Sequence, residues 1–182
     1  MVSLSGVSCS GKSSVLKEMI KLGYDPIISY TTRPMRKGEI DGVDYNFCDN
    51  KLFNELKAEN FFAETTSYQI DANNIWHYGT AKKDLALNKI AILNPEGLKN
   101  LKQNKQLNIV SFLLLTNDVN VWNRLRMRGD DSIEANRRIE ADKNDFININ
   151  SYTDFSIRTD NLSPDKIASL IDYIYRKVGD YN

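Results

Sequence analysis

Cysteine is scarce in this chain, histidine scarcer still, and net charge is absent. The 182 residues include two cysteines, Cys9 and Cys48, and one histidine, His77. Two thiols cannot build a disulfide framework and suit a reducing compartment, so the expected location is cytoplasmic. The lone His77 is expected to be structural or exposed. Twenty-four basic residues balance 24 acidic ones, which argues against broad binding to nucleic acid or an anionic membrane. No apolar run reaches bilayer-spanning length, and Met1 to Leu4 reads as a strand rather than a secretion leader. Internal repeats and low-complexity segments are also missing. The hydrophobic content of 41% is ordinary for a globular chain large enough to bury a core.

What is present begins at Gly6-Val7-Ser8-Cys9-Ser10-Gly11-Lys12-Ser13. This is the Gly-x-x-x-x-Gly-Lys-Ser pattern, with an apolar strand before it and a helix after it. The glycines let backbone N–H groups approach phosphate oxygens, and the following helix aims its positive dipole end at the same anion. Lys12 can reach the β- and γ-phosphates, and the Ser13 hydroxyl can ligate a phosphate-bound Mg²⁺. Gly6, Ser8, Ser10, Gly11, Lys12, Ser13 and Ser14 are therefore the candidate ATP-binding residues. Cys9, inside this loop, is either a small filler or a thiol whose oxidation inhibits.

Alternation and periodicity place the remaining elements. Val15, Leu16, Met19, Ile20 and Leu22 form a helical stripe that Gly23 stops. Pro26 to Ser29 is a short strand, and Ile40 to Phe47 around Asp41-Gly42 reads as a hairpin. Asp49 or Asn50 caps a helix carrying Leu52, Phe53 and Leu56. Phe61 to Thr65 reads as a strand, Gln69 to Trp76 as a polar loop, and Ala81 to Leu87 as a helix. Ile90 to Leu93 and Ile109 to Leu115 are buried parallel strands by composition. Helices follow from Pro95, over Val119 to Met127, and from a Ser132 cap to about Asp145, with Arg128 to Asp131 breaking the second from the third. Phe155 to Ile157 is the last strand, and Ile167 to Val178 the closing amphipathic helix. Strands alternating with helices behind a phosphate loop imply an α/β three-layer fold around a central parallel sheet.

A second anion site lies at Arg33 and Arg36, in a hydroxyl-rich loop with Tyr45 just beyond. Guanidinium forks suit bidentate phosphate binding, and tyrosine hydroxyls add neutral donors; a basic surface turn is the plain alternative. The segment Ser29-Tyr-Thr-Thr-Arg-Pro-Met-Arg-Lys-Gly-Glu-Ile-Asp-Gly-Val-Asp-Tyr-Asn-Phe47 resembles the signature of guanylate kinases. The resemblance runs on, more weakly, through Phe61 to Glu64, Tyr78-Gly79-Thr80, the arginines near Arg128 and the closing helix.

That resemblance implies a P-loop nucleoside-monophosphate kinase passing the γ-phosphoryl group of ATP to GMP or dGMP. It implies one domain: a core of residues 1–28, 81–122 and 146–182, a monophosphate-binding subdomain over about 29–80, and an arginine-rich lid over about 123–145. Ser29, Arg33, Arg36, Tyr45 and Tyr78 would hold the acceptor phosphate. Glu64 and Thr80 would read guanine, whose N1–H and N2–H₂ stand side by side as donors. Lys12, Arg124, Arg128 and Arg138 would be catalytic, with Arg137 as the alternative to Arg138. Mg²⁺ is the expected metal, at Ser13, and the expected state is a monomer or homodimer.

The pattern departs from the family at Ile92 and Asn94, where guanylate kinases usually carry two aspartates. Ile92 cannot organise a cation shell, and Asn94 can accept from the guanine amino group but brings no charge. Residues 65–78 are longer than usual, and Thr159-Asp160-Asn161 replaces an asparagine-led motif near the adenine. Two other readings stay open: a deoxynucleoside-monophosphate kinase of wider base choice, and a catalytically weak binding module. Such modules have usually lost the phosphate loop, which is intact here.

Overall fold

The computed structural model describes residues 1–128 and 132–179; the side chains of residues 128, 132–134, 138 and 179 also lie outside the described set. Strand β1 (Val2–Ser5) is buried along its whole length. It stands at the centre of a parallel five-stranded sheet with β2 (Asp25–Pro26), β7 (Lys89–Ile92), β8 (Val110–Leu115) and β9 (Phe155–Arg158), in the order β2-β7-β1-β8-β9. Leu4 pairs in register with Ile92 on one side and Phe112 on the other.

Alternation along these strands sorts side chains to two faces. Val2, Leu4, Ile90, Phe112 and Leu114 join Val15 and Met19 of α1 (Lys12–Lys21) and Ile167 and Ile171 of α6 (Pro164–Gly179) in one core. Ala91, Leu93 and Leu113 join Leu98 and Leu101 of α3 (Pro95–Lys102) in the other. Helices cover both faces of the sheet, which is the three-layer arrangement expected from the strand–helix alternation. A smaller cluster of Val121 and Leu125 from α4 (Asp118–Arg128) with Ala135 from α5 (Ser132–Asp145) packs against Val7 and Cys9. The arginine-bearing helices thus rest on the phosphate loop itself. Among the described residues, no helix is long and apolar enough to cross a membrane.

A second sheet, β4-β3-β6-β5, comes from the chain between Tyr30 and Ala81. Here β3 is Tyr30–Thr31, β4 Asn46–Phe47, β5 Phe62–Gln69 and β6 Ile75–Ala81. Helix α2 (Asn50–Ala58) is capped by Asp49, whose carboxylate accepts from Leu52 N–H at 2.7 Å.

Three local expectations are corrected and a fourth is narrowed. Residues 40–47 form no hairpin: β4 pairs parallel to β3, and Asp41 bridges Tyr45 in a tight turn. The strand expected at Pro26 to Ser29 starts a residue earlier and ends at Pro26. Residues 70–74 form the expected loop, while β5 and β6 reach in from either side at Gln69 and Ile75, pairing antiparallel from Phe62↔Ala81 out to Gln69↔Ile75. Asp71 closes their turn by accepting from the N–H groups of Asn73 and Asn74, a local bond that polar composition alone does not separate from a loop. Residues 81–87 hold only a 3-10 turn, Lys82–Asp84. Ala81 is spent in β6, Lys82 N–H bonds Phe61 carbonyl, and the few residues left before β7 are too short a span for a helix.

Candidate active site

The phosphate loop leaves the C-terminal end of β1 and enters α1. A Cβ at Gly6 would stand 2.6 Å from Leu114 carbonyl oxygen and 2.5 Å from Ser10 Oγ, so the close approach of the loop to β8 requires glycine. Gly11, with φ of 99°, is the N-cap of α1, a left-handed conformation that favours glycine. Lys12 Nζ donates to the carbonyls of Gly6 at 2.6 Å and Val7 at 2.8 Å. Arg124 Nη1 donates to Cys9 carbonyl at 2.7 Å, tying α4 to the loop. Beneath it, the buried Thr159 hydroxyl lies 3.1 Å from both Ser10 and Leu115 carbonyls. The adjoining Asp160 accepts from Asn117 N–H, Thr116 and Asn120 at the start of α4. Ser8 N–H donates to the carboxylate of Asp142, on α5, at 2.6 Å.

A cavity of about 260 Å³ joins this loop to the second sheet. Gly6, Ser8 and Lys12 line one end; Ser29, Arg36, Tyr45, Tyr78, Glu64 and Asn94 line the other. Both regions picked out from the sequence therefore open into one space. Ser10, Gly11, Ser13, Ser14, Arg33, Thr80 and Arg124 are outside its lining. The side chains of Arg128 and Arg138 lie outside the described residues.

Arg33 is 3% exposed, and its fork is engaged by Glu39 at 2.8 and 3.0 Å and by Pro34 carbonyl at 2.7 Å. Burial alone would raise the Glu39 carboxyl, but Arg33 and the Arg36 N–H hold it below the usual carboxylate range. The guanidinium also lies 5.3 Å from the Tyr45 ring centre. It thus supports the cavity from behind rather than facing it. Burial, then the neighbouring Tyr78, pushes the Tyr45 phenol up, keeping it a protonated donor.

Glu64 is 8% exposed. Its Oε1 accepts from the Thr80 hydroxyl at 2.6 Å, and its buried Oε2 has no hydrogen-bond partner among the described residues. Burial pushes the carboxyl up to about 7, with the Thr80 bond opposing the rise and the Glu96 charge adding to it. Gly97 makes room for this group, since a Cβ there would stand 3.1 Å from Oε2. Asn94 has its amide committed: Oδ1 caps α3 by accepting from Gly97 N–H at 2.7 Å, and Nδ2 donates to Thr66 at 2.8 Å. His77 is structural, stacked on Phe53 at 5.3 Å with Nδ1 2.8 Å from Ser67 Oγ.

Lining residues outside the sequence-based selection include Tyr68, Trp76, Asp142 and Asp145. For Tyr68 a signal was available, the period-2 alternation from Glu64 through Thr66. For the two aspartates there was none, because only the tertiary fold brings α5 over the cavity.

The family model for guanylate kinase matches residues 1–176. The guanylate kinase of Sulfurimonas denitrificans is 35% identical over 173 residues, covering 87% of this chain and 79% of that protein. The guanylate kinase of Syntrophus aciditrophicus is 30% identical over 181 residues, covering 95% and 84%. Among solved structures, the guanylate kinase of Anaplasma phagocytophilum superposes with a TM-score of 0.66 at 21% identity, covering 95% of this chain and 84% of that one. A phosphate loop facing a buried carboxylate across one cavity, on this fold and with these relatives, makes the chain a member of the guanylate kinase family.

Proposed function

We propose that this chain phosphorylates GMP and dGMP to GDP and dGDP, with ATP as donor, by in-line phosphoryl transfer. The observation that carries the acceptor choice is the unpartnered, buried Oε2 of Glu64 in a cavity continuous with Lys12. Guanine presents two adjacent N–H donors that a carboxylate can accept together. A buried acceptor left unpaired rejects a base that lacks them. Thr80 acts through Glu64, its hydroxyl being spent on Oε1.

Ser29, Arg36, Tyr45 and Tyr78 would hold the acceptor phosphate, with Arg33 acting one layer back through Tyr45 and Glu39. The amides of the phosphate loop, with Lys12, would hold the phosphates of ATP; Gly6, Ser8, Ser10, Gly11, Ser13 and Ser14 belong to that cradle. Ser13, in the first turn of α1, carries a hydroxyl, a hard oxygen donor beside the loop amides, and this fits a Mg²⁺ ion. Bound there, the ion would neutralise phosphate charge. Asn94 enters as the cap that sets α3 against Glu64 rather than as a base reader. Arg124 steadies the loop through Cys9, and Arg128 and Arg138 are assigned to the lid by resemblance. Positioning and charge neutralisation suffice for this chemistry. The enzyme is assigned to the cytoplasm, as a monomer or homodimer, in keeping with two free cysteines.

The test is ADP release with ATP, Mg²⁺ and each nucleoside monophosphate, ribo and deoxy. Turnover confined to GMP and dGMP supports the reading; equal turnover of other bases overturns the role of Glu64, and none at all overturns the activity.

A further inference from the structure

One face of the β5–β6 hairpin is built in cross-strand rows. Glu64 stands opposite Thr80, Thr66 opposite Tyr78, and Tyr68 opposite Trp76. The first two rows hold the base-reading carboxylate and a phosphate ligand. The third row also lines the cavity, yet no role above uses it. Both of its residues meet α5. The Arg137 guanidinium lies 5.4 Å from the Trp76 ring centre, and the Tyr68 phenol is within electrostatic reach of the Asp145 carboxylate. Arg137 and Asp145 themselves line the cavity, so α5 faces the outer end of the acceptor hairpin and contacts it through Arg137 on Trp76.

This dock lies one ring away from the acceptor phosphate ligands. Tyr78 packs edge-on against Tyr45 at 6.0 Å and against Tyr68 at 5.7 Å. A cation–π contact with an indole holds a guanidinium in place at the cavity wall.

We propose that Trp76 and Tyr68 are positioning residues for phosphoryl transfer: the third hairpin row docks α5 and so sets Arg137 beside the transferring group. The proposal rests on the kinase reading above. Trp76 orients the guanidinium; Tyr68, beside Asp145 at the C-terminal end of α5, helps seat the helix that carries it. Both act through α5 rather than through the substrate. Their removal therefore lowers the rate of the chemical step while substrate binding is kept.

The experiment is a double-mutant cycle on the full chain, read as kcat and both KM values. Trp76→Leu is expected to lower kcat about tenfold, the scale of a partly desolvated cation–π contact, with KM for ATP and GMP changed by no more than about twofold. Trp76→Phe, which keeps an aromatic face, restores most of the rate. In an Arg137→Ala background, Trp76→Leu has no further effect, because the two act as one unit. Tyr68→Phe lowers kcat in the same direction without moving either KM. The proposal is overturned if Trp76→Leu costs as much with Arg137 absent as present, or if Trp76→Phe is as impaired as Trp76→Leu. A parent chain that turns over no GMP would instead overturn the kinase reading. Trp76 emission, followed in a Trp122→Phe background with and without Arg137→Ala, then still decides the docking: a shift supports it and unchanged emission overturns it.

Discussion

Replacing Glu64 by Gln tests the site through pH. In the folded chain burial pushes the Glu64 carboxyl from its ordinary 4.5 to about 7. Between those two values the folded protein keeps a proton that the unfolded chain has released. Stability from Glu64 is therefore complete below pH 4.5 and is lost as pH rises through about 7. At 1.36 kcal/mol per pKa unit, the loss amounts to about 3 kcal/mol. Glu64→Gln has no proton to lose, and any fixed cost of its amide is independent of pH. Urea unfolding of both proteins from pH 4.5 to 8.5 should show the variant gaining on the parent by up to ~3 kcal/mol across that window. The same group links pH to acceptor binding, since guanine donors require the carboxylate. Relative to Glu64→Gln, the parent should tighten on GMP by about tenfold between pH 6 and pH 8, following the ionised fraction of a group at about 7. Titration of the GMP phosphate affects both proteins alike and cancels. Parallel stability profiles for parent and variant would refute the burial argument; parallel GMP affinities would refute the base-reading role.

Three further outcomes follow from the loop and its surroundings. Lys12→Met should abolish nearly all turnover in the ADP-release assay while leaving a cooperative thermal transition; near-parental turnover would contradict the phosphate role of Lys12. Asp142 places a carboxylate on Ser8 N–H at 2.6 Å, where a nucleotide phosphate would compete for the same donor. Asp142→Ala should tighten ATP binding by about tenfold in calorimetry, the worth of a charge-assisted hydrogen bond; unchanged or weaker binding would show that the contact does not compete. Gly97→Ala should raise KM for GMP severalfold with KM for ATP unchanged, because its Cβ would crowd Glu64 Oε2 at 3.1 Å and the Asn94 cap at 3.0 Å; an equal rise in both would point to a general disturbance of α3.

The arginines show where sequence reading stops. Arg33 and Arg36 belong to one loop and look equivalent along the chain. Only Arg36 lines the cavity, because Glu39 folds back to engage the Arg33 fork. Asn94 looks like a weakened base reader along the chain, and only the fold shows that its amide also caps α3 through Gly97 N–H and donates to Thr66. The polar run from Gln69 to Trp76 is the turn of a hairpin whose strands, Phe62–Gln69 and Ile75–Ala81, extend to either side of it, and their pairing is invisible in the run's own composition.

The sequence by itself determined the features that depend on neighbours in the chain. These are the glycine-framed phosphate loop between a strand and a helix, the apolar strands of the parallel sheet, the Asp49 cap, and the hydroxyl- and arginine-rich segment that carries the family signature. Each is set by backbone freedom, periodicity or capping over a few residues, which a linear reading can see. Tertiary structure alone decided which of the candidate groups share one cavity, which are already bonded, and which carboxylate is buried without a partner. It also decided that α5 crosses from Ser8 to Tyr68 and Trp76. Those outcomes depend on hydrogen bonds and burial between segments tens of residues apart, and burial is a property of the packed molecule, not of any residue in it.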